Sequence, residues 1–200
     1  MKKGDGRRTL LWSVLLSAPG PIVVGLGLLA GRSSTQLADF LRRSAELLAI
    51  IAAYVVFLAA NRAGTNEAKK ARLERGSNRF VGAMMCLSGG AMLFLAAFGS
   101  HAEKGNVIPG LVIALLGVTA NTIFWFRYAR LSKESGNAIL TVQSRLYRAK
   151  ALVDLCVSLV LLAVALFPQA GFTGWLDLCG SLVVALYLLW CGLKTLRETK

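Results

Sequence analysis

Apolar and charged residues are arranged along the chain in long blocks. Uncharged blocks of 23, 23 and 22 residues cover positions 9–31, 80–102 and 105–126. A helix that spans a bilayer needs about 20 predominantly apolar residues. Each of these three blocks therefore predicts one transmembrane helix.

Three further apolar stretches are shorter. They are 15 uncharged residues at 47–61, 13 from Leu155 to the break at Phe167-Pro168, and 16 at 178–193. At about 1.5 Å per residue they reach only about 20 to 24 Å, against a hydrocarbon core of about 30 Å. A helix built on any of these stretches must therefore include neighbouring charged residues in order to span the hydrocarbon core. The pattern predicts one transmembrane domain over residues 1–200, with helices at about 9–30, 36–61, 80–100, 107–126, 138–167 and 174–193.

Composition agrees with an all-α membrane protein. Hydrophobic residues make up 56% of the chain and charged residues 16%, which excludes an ordinary soluble domain. The net charge of +13 would suggest nucleic acid in a soluble protein. Here 16 of the 23 Lys and Arg residues fall on one side of the predicted bundle, so the positive-inside rule explains them. We expect the lipid bilayer as partner, no nucleic acid, and both termini in the cytoplasm of a bacterial inner membrane.

Enzyme chemistry has little support in the sequence. The four cysteines are scattered within predicted helices without a CxxC motif, and there is one histidine, so neither a metal cluster nor a disulfide is expected. A nucleophile paired with a base and a phosphate-binding loop are also missing from the sequence. We therefore expect a protein that is not an enzyme and has no cofactor.

The short apolar blocks force charged residues into the membrane, where ionisable side chains are functional candidates by default. These residues precede the second, fifth and sixth apolar blocks: Asp39, Arg42, Arg43, Glu46, Arg145, Arg148, Lys150, Asp154 and Asp177. Arg43 lies close to the predicted outer end of its helix. We expect its long side chain to extend outward to the headgroups.

The segment 34–46, with Leu37-Ala38-Asp39 leading into Arg42 and Glu46, resembles the start of the second helix in the cation diffusion facilitator (cation efflux) family. Further similar stretches follow in the family's order, at 76–79, Asn121, 136–140 and 174–177. The resemblance covers nearly the whole chain. It implies a six-helix transport bundle, here without the soluble C-terminal domain that many members carry.

Members of that family bind a divalent ion such as Zn²⁺ between helices two and five, and exchange it for protons by alternating access. The site uses two residues four apart on each helix. The resemblance places Arg42 and Glu46 on helix two at these positions, and Arg145 and Ala149 on helix five. Arginine has no lone pair and stays protonated, so only Glu46 is able to ligate a metal, and we expect no metal site.

A second register on helix five places Lys150 and Asp154 at the two positions. It displaces the match at 136–140, so we prefer the register with Arg145. The alternative supplies two carboxylates and two cations, which is also a poor zinc site.

Three functional hypotheses follow for the ion-binding candidates, which are Asp39, Arg42, Glu46, Asn121, Arg145 and Asp154. The first is a cation transporter with proton-coupled alternating access, whose rearranged site uses the carboxylates and the asparagine. The second is a non-transporting structural or regulatory membrane partner, in which the arginines pair internally with Glu46. The third is a carrier of an anionic or polar solute recognised by Arg42 and Arg145. The extent of the resemblance favours the first, with protons or a small ion as its ligands.

The family resemblance also implies a homodimer. Helices associate in lipid where small residues let their backbones approach closely. We expect Gly82, Gly89 and Gly90 on helix three to form the contact between the two copies.

Overall fold

A computed structural model describes residues 4–30, 34–62, 65–98, 108–166 and 172–199. Within these ranges the chain is a bundle of helices without strands. The helices are α1 (Gly4–Ser17), α2 (Pro19–Ala30), α3 (Ser34–Ala60), α4 (Glu67–Phe98), α5 (Ile108–Ser135), α6 (Ala138–Leu166) and α7 (Phe172–Glu198). The prediction of an all-α bundle is confirmed.

The first predicted helix is two helices that meet at Ala18. The last turn of α1 closes with the Ala18 amide donating to the Val14 carbonyl oxygen at 3.0 Å. Pro19 and Pro21 then follow, and a proline has no amide hydrogen for the helical ladder. Six predicted spans therefore correspond to seven helices, and the break lies in the wall of the cavity described below.

Several helices run beyond their predicted ends. α4 begins at Glu67 instead of about 80, and α5 ends at Ser135 instead of 126. Lys, Arg and Glu form helices well in water, so a change in hydropathy marks the membrane boundary and not the end of a helix. The segment predicted as a loop at 62–79 is consequently helical from Glu67 onward.

The connection between α5 and α6 is two residues long. Gly136 has a φ of 62°, a left-handed conformation that glycine adopts without steric cost. The Asn137 side-chain oxygen then accepts the Ile139 amide at 3.0 Å and caps the start of α6. This tight turn makes α5 and α6 extensively packed antiparallel neighbours.

The bundle is built on three extensively packed pairs, α5 with α6, α4 with α7 and α3 with α4, while α1 and α2 lie against α3. Large apolar side chains occupy both its interior and its outer surface. Tyr128 and Leu146 are fully buried, whereas Leu116 and Val183 are more than 60% exposed. An outer surface of this kind suits contact with lipid. Among the side chains that the structure describes, one helical segment, Phe40–Ala60, has the length and hydropathy to cross a membrane by itself.

Glycines bring α4 and α7 into close contact. A Cβ atom on Gly89 would lie 3.0 Å from the Ala185 carbonyl oxygen, and one on Gly192 would lie 2.8 Å from that of Gly82. The prediction that Gly82 and Gly89 face a second copy is therefore wrong, because α7 of the same chain covers them. Gly90 is exposed, with open space beside it.

Candidate ion-binding site

A cavity of about 410 Å³ lies between the junction of α1 and α2, the first half of α3, and the middle of α5 and α6. Its ionisable and amide side chains come from α3, α5 and α6. They are Arg42, Arg43, Glu46, Asn121, Lys150 and Asp154. Small and apolar residues form the remaining wall, so the charged groups are concentrated in one place within a largely apolar bundle.

Glu46 lies between two cations. The Arg42 guanidinium, one turn away on α3, places Nη1 3.3 Å from Glu46 Oε1, and the Lys150 ammonium from α6 lies 3.5 Å from Oε2. The Glu46 side chain is 6% exposed, and both cationic side chains are 11% exposed. Buried charges require partners of opposite sign. The charge of Glu46 is therefore fully compensated within the protein.

Asp154 has a different environment. The Asn121 amide donates from Nδ2 to Asp154 Oδ2 at 2.6 Å, and no ion pair found among the described residues includes this carboxylate. Gly117 lies one turn before Asn121 on α5. A Cβ atom there would fall 2.5 Å from Asp154 Oδ2, so the carboxylate needs a glycine opposite it. Asp154 thus lines the cavity with a neutral donor as its polar partner.

The structure brings four of the six predicted candidates together: Arg42, Glu46, Asn121 and Asp154. Asp39 lies in α3, but its side chain is outside the described part. Arg145 lies elsewhere, with Nη1 2.5 Å from Glu198 Oε2 near the end of α7.

The convergence of Arg145 with Arg42 and Glu46, expected from the preferred register, is not observed. Lys150 takes that place. Five residues separate Lys150 from Arg145, which is about 7.5 Å along a helix and more than one turn. In the structure, α6 corresponds to the predicted helix five and α3 to the predicted helix two. The two helices face each other in the second register, with Lys150 and Asp154 opposite Arg42 and Glu46. The four-residue spacing of Lys150 and Asp154 was the signal for it in the sequence.

Arg43 also differs from expectation. It is half-buried and lines the cavity, with Nη1 3.5 Å from the position of a Cβ on Gly20. The described cavity wall thus carries three cations and two carboxylates. Within the described part of the chain, no three His, Cys, Asp or Glu side chains are grouped to hold a metal ion. At two of the four family positions a Zn²⁺ ion would meet the positive charges of Arg42 and Lys150 instead of lone pairs.

A second polar cluster joins α4, α6 and α7 at the opposite end of α6 from Leu166. Besides the Arg145–Glu198 pair, the Asn137 amide donates to Glu74 Oε1 at 3.0 Å, and the Arg79 guanidinium donates to the Thr199 carbonyl oxygen at 3.1 and 3.2 Å. Burial raises the pKa of Glu74, although Lys70 and the bond from Asn137 act in the opposite direction. This cluster holds the helix ends together and is more exposed than the cavity.

A sequence comparison identifies the family. The family model described as "Cation efflux transmembrane domain" matches residues 12–200. No curated protein matches the chain. A match over nearly the whole length confirms the predicted family and its helical membrane bundle, and with them an integral membrane protein of cation-transporter type. Members of this family are transporters and typically form homodimers. The chain belongs to the cation efflux transmembrane domain family.

Proposed function

We propose that this protein is a secondary transporter that moves a singly charged cation across the membrane in exchange for protons, with Asp154 as the carboxylate that receives the ion. The observation that carries the proposal is the asymmetry between the two carboxylates of the cavity. Arg42 and Lys150 form ion pairs with Glu46 and act on Asp154 only at longer range, whereas the hydrogen-bond partner of Asp154 is the neutral amide of Asn121. Asp154 therefore has charge to offer an incoming cation.

The cations of the cavity favour a singly charged substrate over a divalent one. The Arg42 guanidinium and the Lys150 ammonium both lie in the wall beside the two carboxylates. Two unit charges 4 Å apart interact with about 4 kcal/mol at an effective dielectric constant of 20, and the repulsion doubles for a divalent ion. A divalent transition metal also needs several lone-pair ligands, which Arg42 and Lys150 do not supply.

Exchange for protons follows from the same carboxylate. A carboxylate that binds a proton no longer offers the negative charge that holds a cation, so the two ligands compete for Asp154. If the cavity opens to one side of the membrane at a time, this competition couples the two flows. Asn121 orients the carboxylate, and Gly117 leaves the space that it occupies.

Uptake into proteoliposomes tests the proposal. With a pH gradient imposed, we expect saturable uptake of one member of a panel containing Na⁺, K⁺, methylammonium, Zn²⁺, chloride and phosphate, and the proposal requires a monovalent cation. Asp154→Asn should abolish uptake. Asp5→Asn, the same change in the first turn of α1 and outside the cavity, should leave it intact.

The other outcomes separate the remaining hypotheses. Zinc uptake that Asp154→Asn abolishes would return the protein to ordinary metal efflux. Phosphate or chloride uptake would favour an anion carrier, which the presence of Arg42 and Arg43 in the cavity wall suggests. No transport of any member, with the protein folded, would favour a structural role in which the Arg42–Glu46–Lys150 pairs only stabilise the bundle.

The orientation and assembly of the protein are part of the proposal. We place both termini in the cytoplasm of a bacterial inner membrane, because most basic residues then lie inside. Reporter fusions after residues 31, 104 and 200 should read outside, outside and inside. We also propose a homodimer, as is typical of the family. Since α7 covers Gly82 and Gly89, the exposed face of α4 around Gly90 is now the candidate contact, and Gly90→Leu should reduce cross-linking in detergent.

A further inference from the structure

Tyr147 lies between the central cavity and α1, and it contacts both. It is fully buried and precedes Lys150 by three residues on α6. The Lys150 ammonium lies 5.1 Å from the centre of the Tyr147 ring, within the range in which a cation is attracted to an aromatic face. The same ammonium forms the ion pair with Glu46. The ring of Tyr147 therefore helps to hold the cation that compensates Glu46.

The hydroxyl of Tyr147 is directed toward α1. It donates to the Ser13 carbonyl oxygen at 3.5 Å and lies 3.3 Å from Ser17 Oγ, which is then the group that donates to the tyrosine oxygen. Ser17 is the last residue of α1 and lines the cavity, immediately before the helix break at Ala18. Both contacts are longer than an ideal hydrogen bond between hydroxyl groups. A small shift of the Tyr147 ring is therefore enough to break them.

Two further contacts hold the same face of α1, because Thr9, Ser13 and Ser17 recur every four residues. Thr9 Oγ1 accepts a hydrogen bond from Arg127 Nε at 2.8 Å, and Ser13 Oγ lies 2.8 Å from the Tyr128 hydroxyl. Neither of these contacts involves a side chain of the cavity wall. Of these partners, Tyr147 is the one that also contacts Lys150, and it holds α1 at Ser17 Oγ and at the Ser13 carbonyl oxygen.

We infer that Tyr147 is a positioning residue that transmits the position of the Lys150 ammonium to the end of α1. While Lys150 stays beside Glu46, the ring is held under the ammonium and the hydroxyl holds Ser17. When Lys150 leaves Glu46, the ring loses its cation and α1 is released at the break beside Pro19. The meaning of this coupling for transport rests on the proposed function, but the coupling itself rests on the contacts alone.

Hydrogen–deuterium exchange of the full chain in detergent, without any substrate, tests the inference. Lys150→Met removes the charge while keeping an extended side chain. We expect faster exchange of the backbone amides at 13–18, by between about twofold and thirtyfold, the range spanned by one cation–π contact. Lys150→Arg keeps the charge and should leave these amides close to wild type. An equal increase in α7 would indicate general destabilisation and would overturn the inference, as would no increase in α1.

A double-mutant comparison separates coupling from simple loss of packing. Tyr147→Phe keeps the ring but removes the hydroxyl, so it should release the end of α1 by itself, and Lys150→Met should then add nothing further. Ser17→Ala provides a second variant with the same expected result. Thr9→Val removes the α1 contact with Arg127, which involves neither Tyr147 nor Lys150, so its effect should add to that of Lys150→Met. Additive effects with Tyr147→Phe or Ser17→Ala would show that Tyr147 does not transmit the change.

These measurements are independent of transport. If Asp154→Asn leaves uptake unchanged while the exchange results hold, the proposed transport role fails and the coupling stands. If uptake depends on Asp154 but α1 does not respond to Lys150→Met, the coupling fails and the transport role stands.

Discussion

The central cavity and the polar cluster around Arg145 both join helices through an ion pair between a glutamate and a basic residue of α6. In the cavity, Lys150 lies 3.5 Å from Glu46, whose side chain is 6% exposed. In the second cluster, Arg145 lies 2.5 Å from Glu198, whose side chain is 47% exposed. The two pairs thus differ mainly in how far water reaches them.

This difference in exposure determines how much each ion pair contributes to stability. Water screens the Arg145–Glu198 pair and solvates each partner when the other is removed, so such pairs contribute little. Glu46 and its two cations are buried, so water does not solvate them in this way. Removing Glu46 leaves both buried cations without their shared anion, at a cost of about 3 to 5 kcal/mol.

The largest expected effect is the creation of a zinc site in the cavity. Arg42→Asp with Lys150→His leaves Glu46 and Asp154 in place and provides ligands at all four family positions. We expect micromolar zinc binding by calorimetry near neutral pH, about 8 kcal/mol, where the wild type shows no saturable binding. Arg42→Asp with Arg145→His is the matched control and should not bind zinc. Binding by the control would place Arg145 in the central site and contradict the structure.

The next effect is on stability. Glu46→Gln leaves Arg42 and Lys150 facing each other without their shared anion, and should lower the free energy of unfolding by about 3 to 5 kcal/mol. Glu198→Gln is the same change in the solvated pair and should cost less than about 1 kcal/mol. Thermal unfolding in detergent measures both. Equal losses would show that the two regions do not differ in the way their burial indicates.

A glycine in each region provides a third comparison. Gly117→Ala drives a methyl group into the Asp154 carboxylate, so it should destabilise the protein by about 1 to 3 kcal/mol and impair transport. Gly136→Ala meets open space but must adopt a positive φ, which costs about 1 to 2 kcal/mol. It should leave transport unchanged. Transport by Gly117→Ala at the wild-type rate would mean that the position of Asp154 is not critical.

The smallest effect concerns pH. Burial raises the pKa of Glu74 in the folded protein, so the folded state holds this proton more tightly than the unfolded state. The contribution of Glu74 to the free energy of unfolding is fully present below the ordinary pKa of 4.5. It is lost as the pH rises through the raised pKa of the folded state. Glu74→Gln keeps the acceptor for Asn137 and removes this dependence. Above that range the variant should be more stable than wild type by less than about 1 kcal/mol, because solvent screens a half-exposed carboxyl. Unfolding measured at several pH values tests this. If the free energy of unfolding changes with pH equally in wild type and in Glu74→Gln, the prediction is contradicted.

Much of the architecture followed from local properties of the chain. The length of an apolar block is a one-dimensional quantity, so the approximate positions of the helices were predictable. The same reasoning predicts that charged residues of the second and fifth spans enter the membrane, and Asp154, Glu46 and Arg42 are among them. The helix ends were less predictable, because Glu67 and its charged neighbours form helix equally well outside the membrane.

Only the tertiary structure decided which residues of α6 face Glu46. Arg145, Arg148 and Lys150 lie within six residues and all carry a positive charge, so their type does not distinguish them. Each residue turns the side chain by about 100° and advances it by about 1.5 Å, and the packing of α6 against α3 and α5 selects Lys150. The same holds for Gly89, whose small size predicts a close helix contact but not whether the partner helix belongs to the same chain. Periodicity defines the faces of a helix, and packing determines what each face meets.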